Sequence, residues 1–245
     1  MRVLILGGTS EASTLVKRLD PRIDATLSLA GRTSAPKREP VRTRIGGFGG
    51  PEGLTAWIAE NRIEAVIDAT HPFAAQIGRN AALTCKRTGV ALLAIRRPAW
   101  ERRPGDLWTE VETMAEAALA LGEMTRRVFL TIGRLEVGAF TTAPQHDYVV
   151  RSIEPIGDAL PVPRLAEIAA RGPFDEAAET AFLAERRIEI LVTKNSGGPA
   201  TYGKIAAARA LGIPVVIVRP PRKPDVASVP DAEGALAWLE RRLDC

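Results

Sequence analysis

Short apolar runs alternate with amphipathic segments along almost the whole chain, and this alternation narrows the possible folds most. Continuous apolar strands of a few residues are buried on both faces, which is the pattern of a parallel sheet with helices packed on either side. In the first part Val3–Leu6, Ala25–Leu29, Val41–Ile45, Ala65–Asp68 and Ala91–Ile95 read as strands, with helices over Ser10–Leu19, Pro51–Glu60 and Phe73–Thr88. Gly89 suits the left-handed residue that closes the third helix. Between Arg96 and Asp106, two prolines, one glycine and four arginines mark a linker or crossing segment. The alternation then restarts. Helices are expected over Met114–Leu121, Val162–Ala170, Ala177–Glu185 and Thr201–Leu211, and strands over Arg127–Ile132, Tyr148–Val150, Glu189–Val192 and Val215–Val218. An amphipathic helix over Asp231–Arg242 closes the chain.

The first strand runs through Gly7-Gly8-Thr9-Ser10-Glu11-Ala12 into a helix, with Ser10 as the expected N-cap. That order of parts aims backbone N–H groups and a helix N-terminus at a dinucleotide's pyrophosphate. The adjacent glycines depart from the G-x-G-x-x-G spacing, and a plain strand-to-helix turn is the alternative reading of the same residues. An NAD-binding fold carries an acid at the end of its second strand. Here Ala30-Gly31-Arg32-Thr33-Ser34 stands there instead, followed by Lys37 and Arg38. A guanidinium at that place can hold a 2′-phosphate, which favours NADP over NAD. The alternative is a solvated basic loop. The expectation is an α/β protein of two Rossmann-like parallel-sheet domains with a cleft between them. Residues 1–97 would form the NADP-binding domain, and 98–245 a second domain contributing to the substrate cleft.

The chain has 245 residues, of which 46% are hydrophobic and 25% charged, enough for two cored domains. No apolar run approaches a membrane span, and the first strand meets its glycines too soon for a signal peptide. The two cysteines, Cys85 and Cys245, have no metal-ligand spacing, and with two histidines no metal centre is expected. A cytoplasmic enzyme fits. The net charge of +4 with only 5% aromatic residues suits a small polyanionic ligand better than nucleic acid.

Function in such sheets gathers at the carboxyl ends of strands. After the third strand, Gly46-Gly47-Phe48-Gly49-Gly50 permits close backbone approach to a cofactor, with Phe48 against a ring, or forms a flexible turn around one aromatic. After the fourth, Asp68-Ala69-Thr70-His71-Pro72-Phe73 places Pro72 at the first helical position, with Thr70 or His71 as the cap. His71 there can donate a proton or steer a carboxylate, or simply cap. His146 reads as structural. Thr131-Ile132-Gly133-Arg134, joined by Arg151, suits an anion contact or a surface ion pair. Thr193-Lys194-Asn195-Ser196-Gly197, continuing to Tyr202 and Lys204, makes a carboxylate cradle without Walker spacing, or a structural turn. No serine–histidine pairing supports a hydrolase, so nicotinamide chemistry suits the inventory.

The segments Leu6-Gly7-Gly8-Thr9-Ser10-Glu11-Ala12, Asp68–Ala74 and Thr193–Gly197, with Val162–Phe174 and Lys204–Val216, together resemble the precorrin-6A reductase family of cobalamin biosynthesis. The resemblance spans nearly the whole chain in order. It implies reduction of a macrocycle double bond in precorrin-6A by NADPH, leaving precorrin-6B and NADP+. The substrate is then a tetrapyrrole fringed with carboxylates. Carried over residue by residue, it places Gly8, Thr9, Ser10 and Glu11 on the pyrophosphate and ribose, Arg32 and Thr33 on the 2′-phosphate, and Thr70 and His71 beside the nicotinamide. Lys194, Asn195, Ser196 and Lys204 would grip substrate, and the proton donor would be His71, Lys204 or water. From residues alone, an NADP-sensing module without catalysis and a reductase of another acidic metabolite remain alternatives.

Overall fold

The computed structural model describes residues 1–31 and 38–244, and Arg32 and Thr33 therefore lie outside the described residues. The chain divides into two compact units, Met1–Pro98 with Pro221–Cys245, and Ala99–Pro220. Each holds one six-stranded sheet in which every pairing is parallel.

In the first unit the strands are β1 (Arg2–Leu6), β2 (Asp24–Leu29), β3 (Arg42–Ile45), β4 (Ala65–Asp68) and β5 (Ala91–Ile95). The helices are α1 (Ser10–Lys17), α2 (Gly50–Glu60) and α3 (Ala75–Thr88). Strand alternation splits β1 between two cores. Val3 and Ile5 pack with Leu15 and Val16 of α1, whereas Leu4 and Leu6 pack with Leu54 and Ile58 of α2 and Ala81 and Cys85 of α3. Helices therefore cover both faces, which is why the strands read as unbroken apolar runs rather than as alternating ones. Burying each such Leu, Ile or Val contributes about 1.5–3 kcal/mol.

The second unit runs β6 (Trp108–Val111), α4 (Met114–Leu119), β7 (Arg127–Leu130), β8 (Asp147–Ser152), β9 (Leu165–Ala169), α5 (Glu176–Glu185), β10 (Ile190–Lys194), α6 (Gly203–Ala210) and β11 (Val215–Val218). Phe129, Leu191, Val215 and Ile217 form one core with Leu183 of α5 and Ile205, Ala207 and Ala208 of α6. The chain then adds β12 (Ser228–Val229) and α7 (Ala232–Leu243), both in the first unit.

The strand orders are β12-β5-β4-β1-β2-β3 and β6-β11-β10-β7-β8-β9. They match position for position in five strands, and the sixth, β12 or β6, pairs with a strand remote in sequence. β6 follows β5 along the chain yet pairs with β11, and β12 follows β11 yet pairs with β5. This corrects the expectation that residues 98–245 form one domain, because 221–245 belong to the first unit. The reason is packing: Ala232, Ala235, Leu236 and Leu239 of α7 complete the core that holds α1 and β1. Periodicity reports that a helix is amphipathic, not which sheet it covers.

Three local expectations also change. Residues 162–170 were expected as a helix, and Leu165–Ala169 is instead edge strand β9, paired with β8. Thr9, not Ser10, caps α1, since its Oγ1 accepts the Ala12 N–H. Pro72 does not open α3, whose N-cap is Ala74; a turn that hydrogen-bonds Ala74 N–H to the His71 carbonyl comes first.

Candidate active site

In both units one central strand sends the chain to one side and then to the other, so a topological switch point opens at its carboxyl end. In the first unit the switch lies between β1 and β4, and in the second between β7 and β10.

At the first switch the glycine turn and the loop after β4 are joined. Ala69 N–H donates to the Leu6 carbonyl and Thr9 Oγ1 to the Ala69 carbonyl at 2.7 Å. A Cβ at Gly7 would lie 2.5 Å from Leu27 Cδ1, so Leu27 would have to shift to admit one. Gly8 has φ +104° and open space where a side chain would project. Ser10 Oγ donates to Glu11 Oε2 at 3.0 Å, and Arg97 Nη1 reaches both Glu11 oxygens at 2.9 and 3.1 Å. Burial alone would raise the Glu11 pKa, but the Arg97 hydrogen bond and charge, its own N–H and Ser10 together hold it below its ordinary value. Gly7–Glu11 and the loop that carries Thr70 and His71 are thus tied together at the first switch point.

Asp68, 1% exposed, ends the apolar β4 and organises the loop. Its Oδ1 accepts Thr70 N–H at 3.1 Å and Thr70 Oγ1–H at 2.5 Å, while Oδ2 accepts Arg96 Nη2 at 2.7 Å. Lys223 Nζ donates to Thr70 Oγ1 at 3.0 Å. His71 Nδ1 accepts the Phe73 N–H at 3.2 Å. Asp68, Arg96, Arg97 and Lys223 were not singled out from sequence as site residues. An aspartate closing a strand of Ala, Val and Ile was the available signal for the first. Nothing local signals Lys223, which arrives on the returning segment.

Gly31 lies beyond β2 in a left-handed conformation. Gly47 and Phe48 follow β3, where Arg44 fixes the glycine loop by donating to Ser28 Oγ and to the Gly46 and Gly47 carbonyls at 2.8–3.0 Å. The Phe48 ring, expected to face a cofactor, is covered by the Arg44 guanidinium at 3.8 Å and by the edge of Trp57 at 5.6 Å.

The second switch joins the loops after β7 and β10. Thr131 N–H and Oγ1 both donate to the Val192 carbonyl, and Lys194 Nζ pairs with Glu136 Oε2 at 2.7 Å. Arg134 is exposed in the same loop. Asn195 binds the Trp100 backbone through both halves of its amide, and the Trp100 indole donates to the Gly198 carbonyl at 2.8 Å. The Asn195–Gly198 loop, with Gly197 and Gly198 left-handed, is therefore braced by Trp100. Ser196 lies half-buried within it. Tyr202 packs edge-on against Trp100 and accepts Arg209 Nη2 at 2.7 Å.

Arg151, expected to contact substrate, is 9% exposed and gives both arms to Glu179 at 2.6 Å each, beneath Phe174. Lys204 is 5% exposed on α6, with Nζ donating to the Thr201 carbonyl at 2.9 Å and lying 5.0 Å from the Trp100 ring centre. Burial and the nearby Arg151 push its pKa down to about 7, against the opposing pull of Glu179. His146 is fully buried, its Nδ1 accepting Arg126 N–H. Among the described residues, no cluster of His, Cys, Asp and Glu could hold a metal, and no helix is long and apolar enough to cross a membrane.

Fold and switch points define a two-unit, doubly wound α/β protein of Rossmann-like type. Residues 2–240 match the family described as Precorrin-6x reductase CbiJ/CobK, and the chain belongs to that family. It is 54% identical to the precorrin-6A reductase of Sinorhizobium sp over 96% of this chain and 91% of that protein. It is 48% identical to that of Rhodococcus erythropolis over 97% of each. A solved structure titled CobK precorrin-6A reductase superimposes with a TM-score of 0.93 at 44% identity, over 98% of this chain and 96% of that one.

Proposed function

We propose that the protein reduces one double bond of precorrin-6A to give precorrin-6B in cobalamin biosynthesis, with NADPH as the reductant. The observation that carries the cofactor reading is the first switch point. There the Gly7-Gly8 turn and the N-terminus of α1 adjoin the Asp68–Phe73 loop through the Thr9–Ala69 bond. The open surface over Gly8 fits a backbone-bound pyrophosphate, and Arg97 neutralises Glu11 so that the first helical turn does not repel one. When bound, the nicotinamide supplies hydride to a ring carbon of the macrocycle; a proton is added to the neighbouring carbon.

Of the two side chains considered as proton donor, Lys204 suits the task better. His71 Nδ1 accepts the Phe73 N–H, a bond that suits His71 to orient the loop. Lys204, with its pKa near 7, is matched to proton transfer at neutral pH. Lys194, Ser196, Gly197 and Arg134 at the second switch are the groups for the substrate's carboxylates. Asn195, Tyr202 and Arg151 hold that loop and its surroundings in place.

The test is turnover of precorrin-6A under anaerobic conditions with NADPH and, separately, NADH. Faster turnover and tighter binding with NADPH are expected, and loss of that preference in Arg32→Ala would assign the 2′-phosphate. Reduction that proceeds equally with both nucleotides overturns the NADPH assignment. Failure to bind either overturns the cofactor site.

A further inference from the structure

Lys223 lies on Pro220-Pro221-Arg222-Lys223-Pro224, a proline-rich stretch that is neither helix nor strand. It carries its ammonium to the carboxyl ends of β4 and β5, beside the first switch point. The side chain is 8% exposed. An ammonium has three N–H donors. One goes to Thr70 Oγ1 at 3.0 Å, whereas Asp68 Oδ2, at 4.0 Å, is too far for a hydrogen bond. That oxygen is already taken by Arg96 Nη2 at 2.7 Å.

The local charges do not cancel. Asp68 contributes one negative charge, and Arg96 and Lys223 two positive ones. Arg97, also felt by Lys223, is matched by Glu11. From α3 the neighbour is Gly78, where a Cβ would stand 3.1 Å from Asp68 Oδ2 and 3.9 Å from both Arg96 Nη2 and Lys223 Cδ. The helix backs the cluster with bare backbone and adds no carboxylate there. Among the described residues this largely buried cluster has a surplus cation and unspent donors, an arrangement that favours an anion beside it.

We propose that Lys223 and Arg96 form a seat for one anionic group of a ligand, either a phosphate oxygen of the dinucleotide or a side-chain carboxylate of the tetrapyrrole. The proposal rests on the function proposed above and adds a ligand contact to it. Burial and the two arginines, opposed by Asp68, place the Lys223 pKa near 8. An arriving anion favours the ammonium, so binding near pH 8 takes up a proton.

The experiment compares wild type, Lys223→Met and Lys223→Arg at pH 8. NADP+ binding is measured calorimetrically in buffers of different ionisation enthalpy, and KM is measured for precorrin-6A at saturating NADPH. Where the anion is the dinucleotide's phosphate, wild type is expected to bind NADP+ with net proton uptake; where it is a tetrapyrrole carboxylate, NADP+ binds without uptake and the seat is read from KM. Lys223→Met should lose the uptake and about tenfold in either NADP+ affinity or KM, while Lys223→Arg keeps affinity without uptake. Weakened NADP+ binding identifies the anion as phosphate; a raised KM alone identifies it as carboxylate. A Lys223→Met protein that is merely less heat-stable, with wild-type affinity, KM and uptake, overturns the seat. Wild type that binds no dinucleotide contradicts the cofactor reading instead, and precorrin-6A binding to the variants then decides the seat.

Discussion

Asn195 treats Trp100 as a neighbouring strand: its Oδ1 accepts the Trp100 N–H at 2.8 Å and its Nδ2 donates to the Trp100 carbonyl at 2.9 Å. Both bonds are buried, and no water can replace them if the amide is lost. Asn195→Asp removes the donor and sets a carboxylate oxygen against a carbonyl. Unfolding free energy is expected to fall by roughly 1–3 kcal/mol. Because Trp100 also holds Gly198 and covers Lys204, KM for the substrate should rise as well. A urea midpoint identical to wild type would show that the pairing contributes nothing.

The Arg97–Glu11 pair makes a different prediction. Arg97→Ala leaves an unneutralised carboxylate in the first turn of α1, where a phosphate is to bind. NADPH affinity should drop by about tenfold, equivalent to about 1.4 kcal/mol. Glu11→Gln in the same background should restore most of it, since the repelling charge is gone. Loss of affinity that persists in the double variant would mean that Arg97 acts directly on the ligand.

Gly53 offers a test of the backbone. A Cβ there would lie 1.7 Å from the Phe48 carbonyl oxygen, a distance no rotamer change can relieve because both groups are main chain. Gly53→Ala must push α2 away from the glycine loop, costing roughly 1–3 kcal/mol, the usual range for overpacking. The neighbouring Thr55→Ala, which loses only a bond to the Pro51 carbonyl, is the milder control. Equal melting temperatures for the two variants would contradict the close approach.

These residues show what local sequence could and could not convey. The paired parallel sheets were legible because strands such as Val3–Leu6 and Val215–Val218 are apolar on both faces, and helices such as Met114–Leu119 begin with their own caps. β9 was not, because Leu165–Ala169 is an edge strand with largely exposed residues, whose spacing mimics a helix. The returning segment was not legible either, as the partners of β12 and α7 lie far back in the chain. Within the site, glycine turns and strand ends announced themselves. The partners of Arg151 and Thr70 did not, since a buried ion pair such as Arg151–Glu179 and a bridge such as Lys223–Thr70 depend on contacts across 28 and 153 residues.

Lys204 yields a pH dependence with a definite sign. Its pKa is about 7 when folded and returns toward 10.5 when the chain unfolds. Between those values the unfolded chain holds a proton that the folded one lacks, so stability rises with pH across this window. Lys204→Met removes the titration, and the difference in unfolding free energy, wild type minus variant, should climb from pH 7 to pH 9.5. The same burial governs activity in the opposite sense. A proton donor must be charged to act, so kcat should fall above pH 7 in wild type. Glu179→Gln removes the carboxylate that supports the ammonium and should move that fall to lower pH. A difference curve flat across the window would show that Lys204 keeps its ordinary pKa. A kcat profile unmoved by Glu179→Gln in a folded variant would take the proton-donor role from Lys204.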